Sequence, residues 1–361
     1  MIDSGHWVSK KILLIDRDVK NKNDRTWCFW EKEIGYFEHI VLKKWQTLQL
    51  ISHETNIPLD IQPYSYKMIR GIDFYNYCFD KIRDNPNITV LNGNISFDAV
   101  NNYSPSIDGA PIDMTSSMVF NSINLPQIED KGQYNLKQHF KGWIIETQEA
   151  FFDPETATLM DFRVDQSAGT TFVYVLPLTS TTALIEYTLF NEKVMTSEEY
   201  DIELRKYISD FLKCNSYKVI EEELGVIPMT SARFHSYKTG MINIGTAGGQ
   251  TKASTGYTFR FIQKHSEQIV SRMINGQSPI VNAQGTMRFK FYDNTLLHIL
   301  SGKKLSGKQI FEMLFRKNKA SKIFKFLDNE TSVIDELKII ITLPTKQFLE
   351  AGMKEFWKLL F

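Results

Sequence analysis

Residues 11–16 read KILLID, a short apolar run that ends on an acid. A continuous apolar run of this length is typical of a buried strand in a parallel sheet. In a dinucleotide-binding βαβ unit, the acid at the end of the second strand bonds the ribose hydroxyl groups. The stretch therefore predicts an α/β fold in which Ile12–Ile15 is a second strand of this kind and Asp16 is its terminal acid.

The composition indicates a folded chain of one large domain or two ordinary ones. Of its 361 residues, 42% are hydrophobic and 23% are charged, which is enough to build a core. Lys and Arg together number 42, as do Asp and Glu, so charge gives no argument for nucleic acid as a partner. Cys28, Cys78 and Cys214 are isolated, and the histidines form no metal-binding pair. We therefore predict no metal site and a reducing, cytoplasmic compartment.

Strand-like segments dominate the middle of the chain, and helix-like segments dominate its end. Alternation between turn residues predicts an antiparallel sheet, with strands over Trp143–Glu146, Thr158–Val164, Thr171–Pro177 and Thr181–Phe190. A helix capped by Ser197 is predicted over Ser197–Leu212, and the chain is mostly helical after Gly256. We predict a discontinuous cofactor domain (residues 1–100 and 225–290), interrupted by an antiparallel-sheet substrate domain (101–224) and followed by a helical C-terminal region (291–361).

A glycine-rich segment, NIGTAGGQTKASTGYTF, occupies residues 243–259. Its glycines let backbone amides approach an anion or a flat ring, and a helix starting near Gly256 would add partial positive charge. A plain connection between strand and helix has the same appearance, so the segment alone leaves both interpretations open. A second stretch, GKKLSGKQ (302–309), lacks the final Ser or Thr of a P-loop, and we interpret it as a turn between helices with Ser306 as the cap.

Two acids lie in the predicted antiparallel sheet. In ALIEYTLF (183–190), Glu186 shares a strand face with Leu184 and Thr188. The pattern alone favours a solvated carboxylate on an outer face. The alternative is a carboxylic acid in an apolar cavity, with a pKa raised by desolvation so that it can donate a proton. In TLMDFRV (158–164), Asp161 and Arg163 share a face, which is consistent with a simple ion pair.

Four segments together resemble the lycopene β-cyclases of the bacterial, FAD-dependent type: NDRTWCFW (23–30), LMDFR (159–163), FVYVLPLTSTTALIEYT (172–188) and IGTAGGQTKASTGYTF (244–259). The resemblance extends in order over nearly the whole chain. It implies a Rossmann-like FAD-binding domain joined to an antiparallel-sheet substrate domain. The implied reaction closes the acyclic ψ-ends of lycopene into β-ionone rings, giving β-carotene. The implied cofactor is reduced FAD, which undergoes no net redox change, with NADPH as its reductant.

The resemblance also implies roles for individual residues. Glu186 is the implied acid–base, and Asp161 is the residue that orients it or receives the proton. Asp16 is implied to bind the adenosine ribose of FAD. The residues implied to lie near the rest of the cofactor are Arg25, Thr26, Gly245, Thr246, Ala247, Gly248, Gly249, Gly256 and Tyr257.

Members of this family carry a strand, a GxGxxG loop and a helix before the strand that matches Ile12–Ile15. No GxGxxG occurs in this chain, and Met1 matches a point near the end of that helix. We therefore expect that the chain is N-terminally truncated relative to the family. The reading frame upstream of Met1 is expected to encode roughly 25–30 further residues, because a βαβ unit has that size.

Two other functions stay open at the level of sequence. One is an FAD- and NAD(P)H-dependent monooxygenase of the aromatic-hydroxylase type, which shares the fold but has no need for an acid at position 186. The other is an inactive or carotenoid-binding paralogue.

Because lycopene resides in membranes, we also expect peripheral membrane association. The last predicted helix, over Thr345–Leu360, is either an interfacial helix or an ordinary amphipathic helix on the core. Its candidate membrane residues are Phe348, Met353, Lys354, Phe356, Trp357, Lys358 and Leu360. The sequence predicts no particular oligomeric state.

Overall fold

A computed structural model describes residues 1–98, 104–113, 117–123, 133–238, 240–281 and 287–360. The described strands are β1 (Ile12–Asp16), β2 (Thr26–Glu31), β3 (Lys43–Trp45), β4 (Thr47–Ile51), β5 (Asn56–Asp60), β6 (Ser65–Arg70), β7 (Ile88–Asn92), β8 (Ile95–Asp98), β9 (Ser104–Ile107), β10 (Ala110–Pro111), β11 (Val119–Asn121), β12 (Asn135–Glu146), β13 (Thr156–Asp161), β14 (Thr170–Pro177), β15 (Thr182–Asn191), β16 (Lys218–Thr230), β17 (Tyr237–Lys238) and β18 (Met241–Asn243). The described α-helices are α1 (Gly71–Arg83), α2 (Ser197–Tyr207), α3 (Phe259–Ile274), α4 (Met287–Ser301), α5 (Gly307–Lys317), α6 (Ala320–Leu327), α7 (Val333–Ile340) and α8 (Thr345–Leu360).

A seven-stranded sheet forms the centre of the molecule, in the order β16-β12-β15-β14-β13-β4-β5. Its neighbouring strands run antiparallel except for β13 and β4, which are parallel. The register places Gly142 of β12 opposite Glu186 of β15 on one side and opposite Glu223 of β16 on the other. It also places Tyr174 of β14 opposite Glu186. These four positions therefore form one row across the sheet.

Both faces of this sheet are covered along β14 and β15. On one face, Ile185 packs with Tyr200 of α2. On the other, Leu184 belongs to a core that includes Phe311 of α5 and Phe324 of α6. Because successive strand residues point to opposite faces, residues on the Leu184 face lie inside the protein rather than at its surface.

Two short parallel pairings support the predicted α/β class, which is confirmed. β1 pairs with β7, as expected for a dinucleotide-binding unit, and β11 pairs with β18, which leads into the glycine-rich segment. The prediction that β1 is a buried strand is wrong. Leu13 is 51% exposed and Leu14 is 44% exposed, because in the described part of the chain β1 belongs to a two-stranded sheet with β7.

The NDRTWCFW stretch ends in β2, which forms a small sheet with β6 and β3 in the order β2-β6-β3. Alternation along β2 sends its side chains to two cores. Cys28 and Trp30 join the core of the large sheet. Trp27 and Phe29 pack against Phe259, the first residue of α3, with ring centroids 5.3 and 4.8 Å away. β2 therefore connects the large sheet to the helix that follows the glycine-rich segment.

The predicted antiparallel strands are confirmed as β12 to β15. β12 begins at Asn135, eight residues before the predicted start at Trp143, and the other boundaries are shifted by at most three residues. The prediction of Ser197 as the helix N-cap is wrong by one position. Thr196 is the cap of α2, because its side chain and that of Glu199 bond each other's backbone N–H groups in a capping box. α3 begins at Phe259 rather than near Gly256. Residues 302–306 do connect two helices, and Ser306 caps α5 as predicted.

The domain boundaries stay a prediction, but the strands locate the large sheet more widely than residues 101–224. β4 and β5 belong to this sheet although they precede residue 101, and β16 continues to Thr230. The predicted boundary at residues 100 and 101 lies outside the described residues. Helices α4 to α8 follow one another from Met287 to Leu360, as expected for the C-terminal region.

Candidate active site

Glu186 lies in the middle of the large sheet, on the face that it shares with Leu184. Protein atoms surround its carboxyl group, yet its side chain keeps some accessible surface and is half-buried. The face on which it lies is covered by a core that includes Phe311 of α5 and Phe324 of α6, so the side chain is enclosed by the protein. The interpretation of Glu186 as a solvated carboxylate on an outer face is therefore wrong. Desolvation, and then the neighbouring Glu223, raise the pKa of Glu186 well above its usual range.

Glu223 approaches Glu186 across Gly142. A Cβ atom at position 142 would lie 3.1 Å from Glu223 Cγ and 3.2 Å from Glu223 Oε1, so the Glu223 side chain occupies the space that the glycine leaves open. Burial raises the pKa of Glu223 as well, while hydrogen bonds from Thr26 and Glu186 act in the opposite direction. Glu223 Oε1 is buried and has no hydrogen-bond partner among the residues that the structure describes. The two carboxyl groups therefore form a close pair in a poorly solvated place.

Thr188 holds one oxygen of the Glu186 carboxyl group. Its side-chain hydroxyl donates a hydrogen bond of 2.8 Å to Glu186 Oε1, and Thr188 itself is fully buried. The two residues lie on the same face of β15 because they are two positions apart. A bond accepted by Oε1 leaves Oε2 as the oxygen that can carry a proton.

Phenol and thiol groups surround the carboxyl pair. Burial raises the pKa of Tyr66 and of Tyr174 well above the usual range, and that of Tyr257 to about 12. The Cys28 thiol also has a raised pKa, first through burial and then through Glu186. The hydroxyl oxygens of Tyr66 and Tyr257 are 3.5 Å apart. At neutral pH these groups are uncharged, so the surroundings of Glu186 are aromatic and weakly polar.

Asp161 lies apart from Glu186. It pairs with Val173, whose side chain belongs to the core beneath α2, on the opposite face of the sheet from Glu186. Its carboxylate is fully buried and accepts a 2.5 Å bond from the Arg163 guanidinium and a 2.7 Å bond from the hydroxyl of Tyr207 in α2. The structure does not bring Asp161 together with Glu186, and its contacts are those of an ion pair that fixes α2 to the sheet.

Asp16 ends β1, at the edge where the parallel pair β1–β7 finishes. Its side chain is 43% exposed, and Oδ1 accepts a 2.9 Å bond from the backbone N–H of Asp18. Lys20 Nζ lies 3.6 Å from the same oxygen. The carboxylate is thus oriented by its own loop and stays open to hydroxyl groups of a ligand.

The glycine-rich segment leaves β18 as a tight turn over Gly245–Gly248. Gly245 has φ of +59°, and a Cβ atom there would find its nearest neighbours 3.9 Å away, so the backbone is open at this point. The other glycines are required by packing inside the protein. A Cβ atom would collide with the Asn243 carbonyl at Gly248 and with the Gln138 side chain at Gly256, and it would lie 2.8 Å from Phe234 at Gly249. Between these glycines, Thr246 is half-buried and Ala247 is buried.

Lys252 fixes the glycine-rich segment to the C-terminal helices. Its ammonium group is 1% exposed and donates bonds to Asp293 of α4, at 2.9 and 3.2 Å, and to Asn329, at 2.9 Å. The backbone N–H of Lys252 bonds the carbonyl of Tyr257, which closes the turn. Lys252 therefore joins the turn that ends at Tyr257 to α4 and to Asn329.

The predicted residues fall into separate groups. Thr26 lowers the pKa of Glu223, and Glu186 raises the pKa of Tyr257, so both residues lie near the carboxyl pair. Arg25 precedes Thr26 but is 51% exposed, and its guanidinium bonds Asp24 at 2.8 and 3.2 Å. Asp16 ends one parallel pair and Gly245 follows another, and neither pair belongs to the large sheet that carries Glu186 and Glu223.

Four residues of the site were missed from the sequence: Gly142, Tyr174, Thr188 as a hydrogen-bond donor, and Glu223. Alternation along VIEEELGVI (219–227) could have indicated β16, because Glu221 and Glu223 are half-buried whereas Glu222 is exposed. The pairing of Glu223 with Glu186 had no local signal, since it depends on the order of strands in the sheet.

Solved structures with a similar fold include flavoproteins and a probable FAD-dependent enzyme. A flavoprotein/dehydrogenase from Cytophaga hutchinsonii has a TM-score of 0.59 at 8% identity, with 98% of this chain and 95% of that chain covered. A geranylgeranyl bacteriochlorophyll reductase-like protein from Thermoplasma acidophilum has a TM-score of 0.58 at 11% identity, with 95% and 92% covered. A probable FAD-dependent monooxygenase from Pseudomonas aeruginosa has a TM-score of 0.54 at 10% identity, with 84% and 92% covered. At such low identities these similarities define the class of fold alone.

The family follows from the sequence match. Residues 8–353 match the family described as lycopene cyclase protein. The chain therefore belongs to the lycopene cyclase family, as its four motifs predicted. No curated protein sequence matches it.

The described residues hold neither a metal-binding cluster nor a membrane-spanning helix. Among them, no group of three or more His, Cys, Asp or Glu side chains could hold a metal ion. None of the described helices is both long and apolar enough to cross a membrane.

Proposed function

We propose that this chain catalyses the non-redox cyclisation of the ψ-ends of lycopene to β-ionone rings. Membership of the lycopene cyclase family supports the substrate class. The observation that carries the reaction type is Glu186, a carboxylic acid on a covered face of the large sheet, with Glu223 beside it over Gly142 and a pKa well above its usual range. Such a group keeps its proton at a pH where ordinary carboxyl groups have lost theirs, so it can act as an acid.

The reaction needs one proton delivered and one removed. The Oε2–H bond of Glu186 breaks, and the proton forms a C–H bond with the terminal double bond of lycopene, leaving a tertiary cation. The π electrons of a neighbouring double bond then form the ring bond, and the resulting cation loses a ring proton to the carboxylate. Protons and electrons balance, so no oxidant is consumed. Thr188 would keep the carboxyl group oriented through Oε1.

The surroundings of Glu186 suit a carbocation. The faces of Tyr66, Tyr174 and Tyr257 can stabilise positive charge through their π electrons. Their pKa values are raised, so none of them is a phenolate that would trap the cation. Exclusion of bulk water would prevent its capture as an alcohol.

The residues present fit FAD at two separate points. The open, oriented carboxylate of Asp16 can accept bonds from ribose hydroxyl groups. The unobstructed backbone at Gly245, with positive φ, allows close approach of the cofactor, with Thr246 to Gly249 behind it. Arg25 and Thr26 precede the strand that borders Glu186, and Gly256 and Tyr257 would lie towards the ring. Reduced flavin would supply negative charge that stabilises a nearby cation, and NADPH would serve to reduce it.

Two helices support the proposal that the protein works at a membrane surface. α7 exposes Ile334 and Leu337, at 66% and 54%, and α8 exposes Met353 and Phe356, at 58% and 54%. Of the other predicted residues of α8, Phe348 packs against the core, Trp357 is exposed, and the side chain of Leu360 lies outside the described residues. Apolar side chains with nearby Lys338, Lys354 and Lys358 suit an interface with anionic lipid. The bilayer is also where an acyclic carotenoid would be found.

Vesicle flotation tests this surface. The double variant Met353→Ser, Phe356→Ser should bind anionic lipid vesicles several-fold more weakly than the wild type. Ile202→Ser, which changes a residue of α2 that is 61% exposed, is the matched control and should bind normally. Equal binding by the double variant would reject a role of α8 at the membrane.

Product analysis separates cyclisation from the alternatives. Purified protein is supplied with reduced FAD and lycopene in vesicles without oxygen. The proposal predicts β-ionone products of unchanged mass and no stoichiometric use of NADPH. A monooxygenase would require oxygen, consume NADPH and add an oxygen atom to the product. A carotenoid-binding paralogue would take up lycopene and return it unchanged.

A further inference from the structure

The large sheet brings a second carboxyl group to Glu186. Neighbouring strands lie about 4.8 Å apart, so the backbones of β15 and β16, with β12 between them, are separated by roughly 10 Å. Two glutamate side chains on the same face can span this distance only if the intervening residue leaves room. Gly142 does so, and Glu223 Cγ and Oε1 lie over it.

We infer that Glu223 is a positioning residue for the proposed reaction: it shares one proton with Glu186 across Gly142, so that Glu186 enters the reaction as the acid and Glu223 as its charged partner. This inference rests on the proposed function for its meaning in catalysis. The proton-sharing pair itself is a property of the protein that can be measured without turnover.

Two carboxyl groups on one face of the sheet, with one side chain lying over the glycine between them, suit a shared proton, because neighbouring like charges do not both ionise readily. Two ionised carboxylates are acceptors only, so they can bond each other only when one of them carries a proton. Burial raises the pKa of both groups, but Glu223 raises the pKa of Glu186 further whereas Glu186 acts to lower that of Glu223, which assigns the proton to Glu186. Thr188 occupies Glu186 Oε1, and Thr26 bonds Glu223, so each group has a partner suited to its role.

Among the described residues, the other groups that act on the pair include no compensating cation. The titratable or polar side chains that act on the two carboxyl groups from each packed element are Thr26 and Cys28 (β2), Tyr66 (β6), Tyr174 (β14), Thr188 (β15), Tyr200 (α2), Glu221 (β16) and Tyr257 (glycine-rich segment). The charged member of this set is another acid, Glu221, which accepts a bond from Asn23. Glu223 is therefore the group whose charge most directly keeps the proton on Glu186.

The pair has a consequence for the reaction step. When Glu186 gives its proton to the double bond, both carboxyl groups are briefly negative beside the new cation. Their repulsion is relieved when the ring proton returns to Glu186, which restores the single shared proton. Glu223 thus favours return of the proton without itself contacting the substrate.

The test is an infrared titration of the protonated carboxyl band. The band of Glu186 is assigned by its loss in Glu186→Gln, and its midpoint is then followed with pH in the other variants. In Glu223→Gln the midpoint should fall by about one to three pH units, because a neighbouring negative charge has been removed. Glu223→Asp keeps the charge at greater distance and should give an intermediate midpoint.

Glu222→Gln is the matched control, because Glu222 lies on the same strand but faces the other way. Its side chain is 54% exposed and pairs with Lys141 at 3.1 Å. This variant should leave the midpoint unchanged. In the cyclisation assay, the loss of kcat/KM at high pH should move to lower pH in Glu223→Gln by the same amount as the infrared midpoint.

The outcomes separate the inference from the proposed function. A midpoint in Glu223→Gln equal to that of the wild type overturns the pair, whatever the activity. A shifted midpoint in a protein that does not cyclise lycopene supports the pair and rejects the function. If Glu223→Gln does not fold, the intermediate midpoint expected for Glu223→Asp decides in its place, and an unchanged midpoint there overturns the pair.

Discussion

Thr188→Val provides a quantitative test of how the site controls its acid. Thr188 donates a 2.8 Å bond to Glu186 Oε1, and valine keeps the shape while removing the hydroxyl group. A hydrogen bond to a charged group contributes about 1.5–3 kcal/mol, and one to a neutral group about 0.5–1.5 kcal/mol. The bond therefore favours the ionised form of Glu186 by about 1–1.5 kcal/mol. At 1.36 kcal/mol per pKa unit, its loss should raise the pKa of Glu186 by about one unit.

The assay is the infrared titration described above, repeated as the pH dependence of kcat/KM for lycopene. The midpoint of Thr188→Val should move upwards, opposite in sign to Glu223→Gln. Thr171→Val is the control, because Thr171 is also fully buried, but its hydroxyl donates to the carbonyl of Gly169 at 3.3 Å. That variant should titrate like the wild type. A midpoint that is unchanged or lower in Thr188→Val would refute the assignment of this bond to the ionised form.

Three further predictions concern stability. Because the pKa of Glu186 is raised in the folded chain, the folded chain keeps a proton that the unfolded chain releases above about pH 4.3. The free energy of unfolding should therefore fall by up to about 1.4 kcal/mol for each pH unit above this value, until the pH reaches the pKa of folded Glu186. Glu186→Gln should remove this loss, which urea unfolding at about pH 5 and pH 7 would reveal as a flatter pH dependence than that of the wild type. Lys252→Met should lower the free energy of unfolding by about 3–5 kcal/mol, because it leaves the buried carboxylate of Asp293 without its ammonium partner. Lys264→Met, at the exposed pair with Glu330, should lower it by at most about 1 kcal/mol. If thermal unfolding gave Lys252→Met and Lys264→Met the same stability, the buried pair would contribute no more than the exposed one. Asp161→Asn should lower the free energy of unfolding by about 1.5–3 kcal/mol, because it weakens the hydrogen bonds of a buried carboxylate. The infrared midpoint of Glu186 should stay unchanged in this variant, and a shifted midpoint would mean that the two acids interact.

Local pattern was sufficient for the strands, whereas the role of Glu186 as an acid was implied by the family resemblance and not by the pattern. Alternation and turn residues predicted β12 to β15, and the position of Glu186 on the Leu184 face followed from counting along one strand. Which face is covered could not be derived in the same way. The covered face depends on the packing of α5 and α6 against the sheet, and these helices follow Glu186 by more than a hundred positions in the sequence.

The partner residues were harder to predict because they depend on strand order. Gly142 meets Glu186 and Glu223 only because β12 lies between β15 and β16. A run of three glutamates indicates a solvated segment when it is considered alone, yet alternation places Glu223 inside and Glu222 outside. Asp161 shows the converse. The sequence was enough to predict that Asp161 lies beside Arg163. Its separation from Glu186 became clear only from its position on the opposite face of the sheet, where it contacts Tyr207 of α2.

The most direct test of the central claim is single-turnover cyclisation of lycopene by the wild type and by Glu186→Gln. Both proteins are supplied with equal reduced flavin in the absence of oxygen, with Glu222→Gln as the control. We predict that Glu186→Gln forms the cyclic product about 10²–10⁴-fold more slowly, a loss of roughly 3–5 kcal/mol of transition-state stabilisation, while flavin content and lycopene uptake stay the same. Cyclisation by Glu186→Gln at a rate close to that of the wild type would contradict the assignment of Glu186 as the acid.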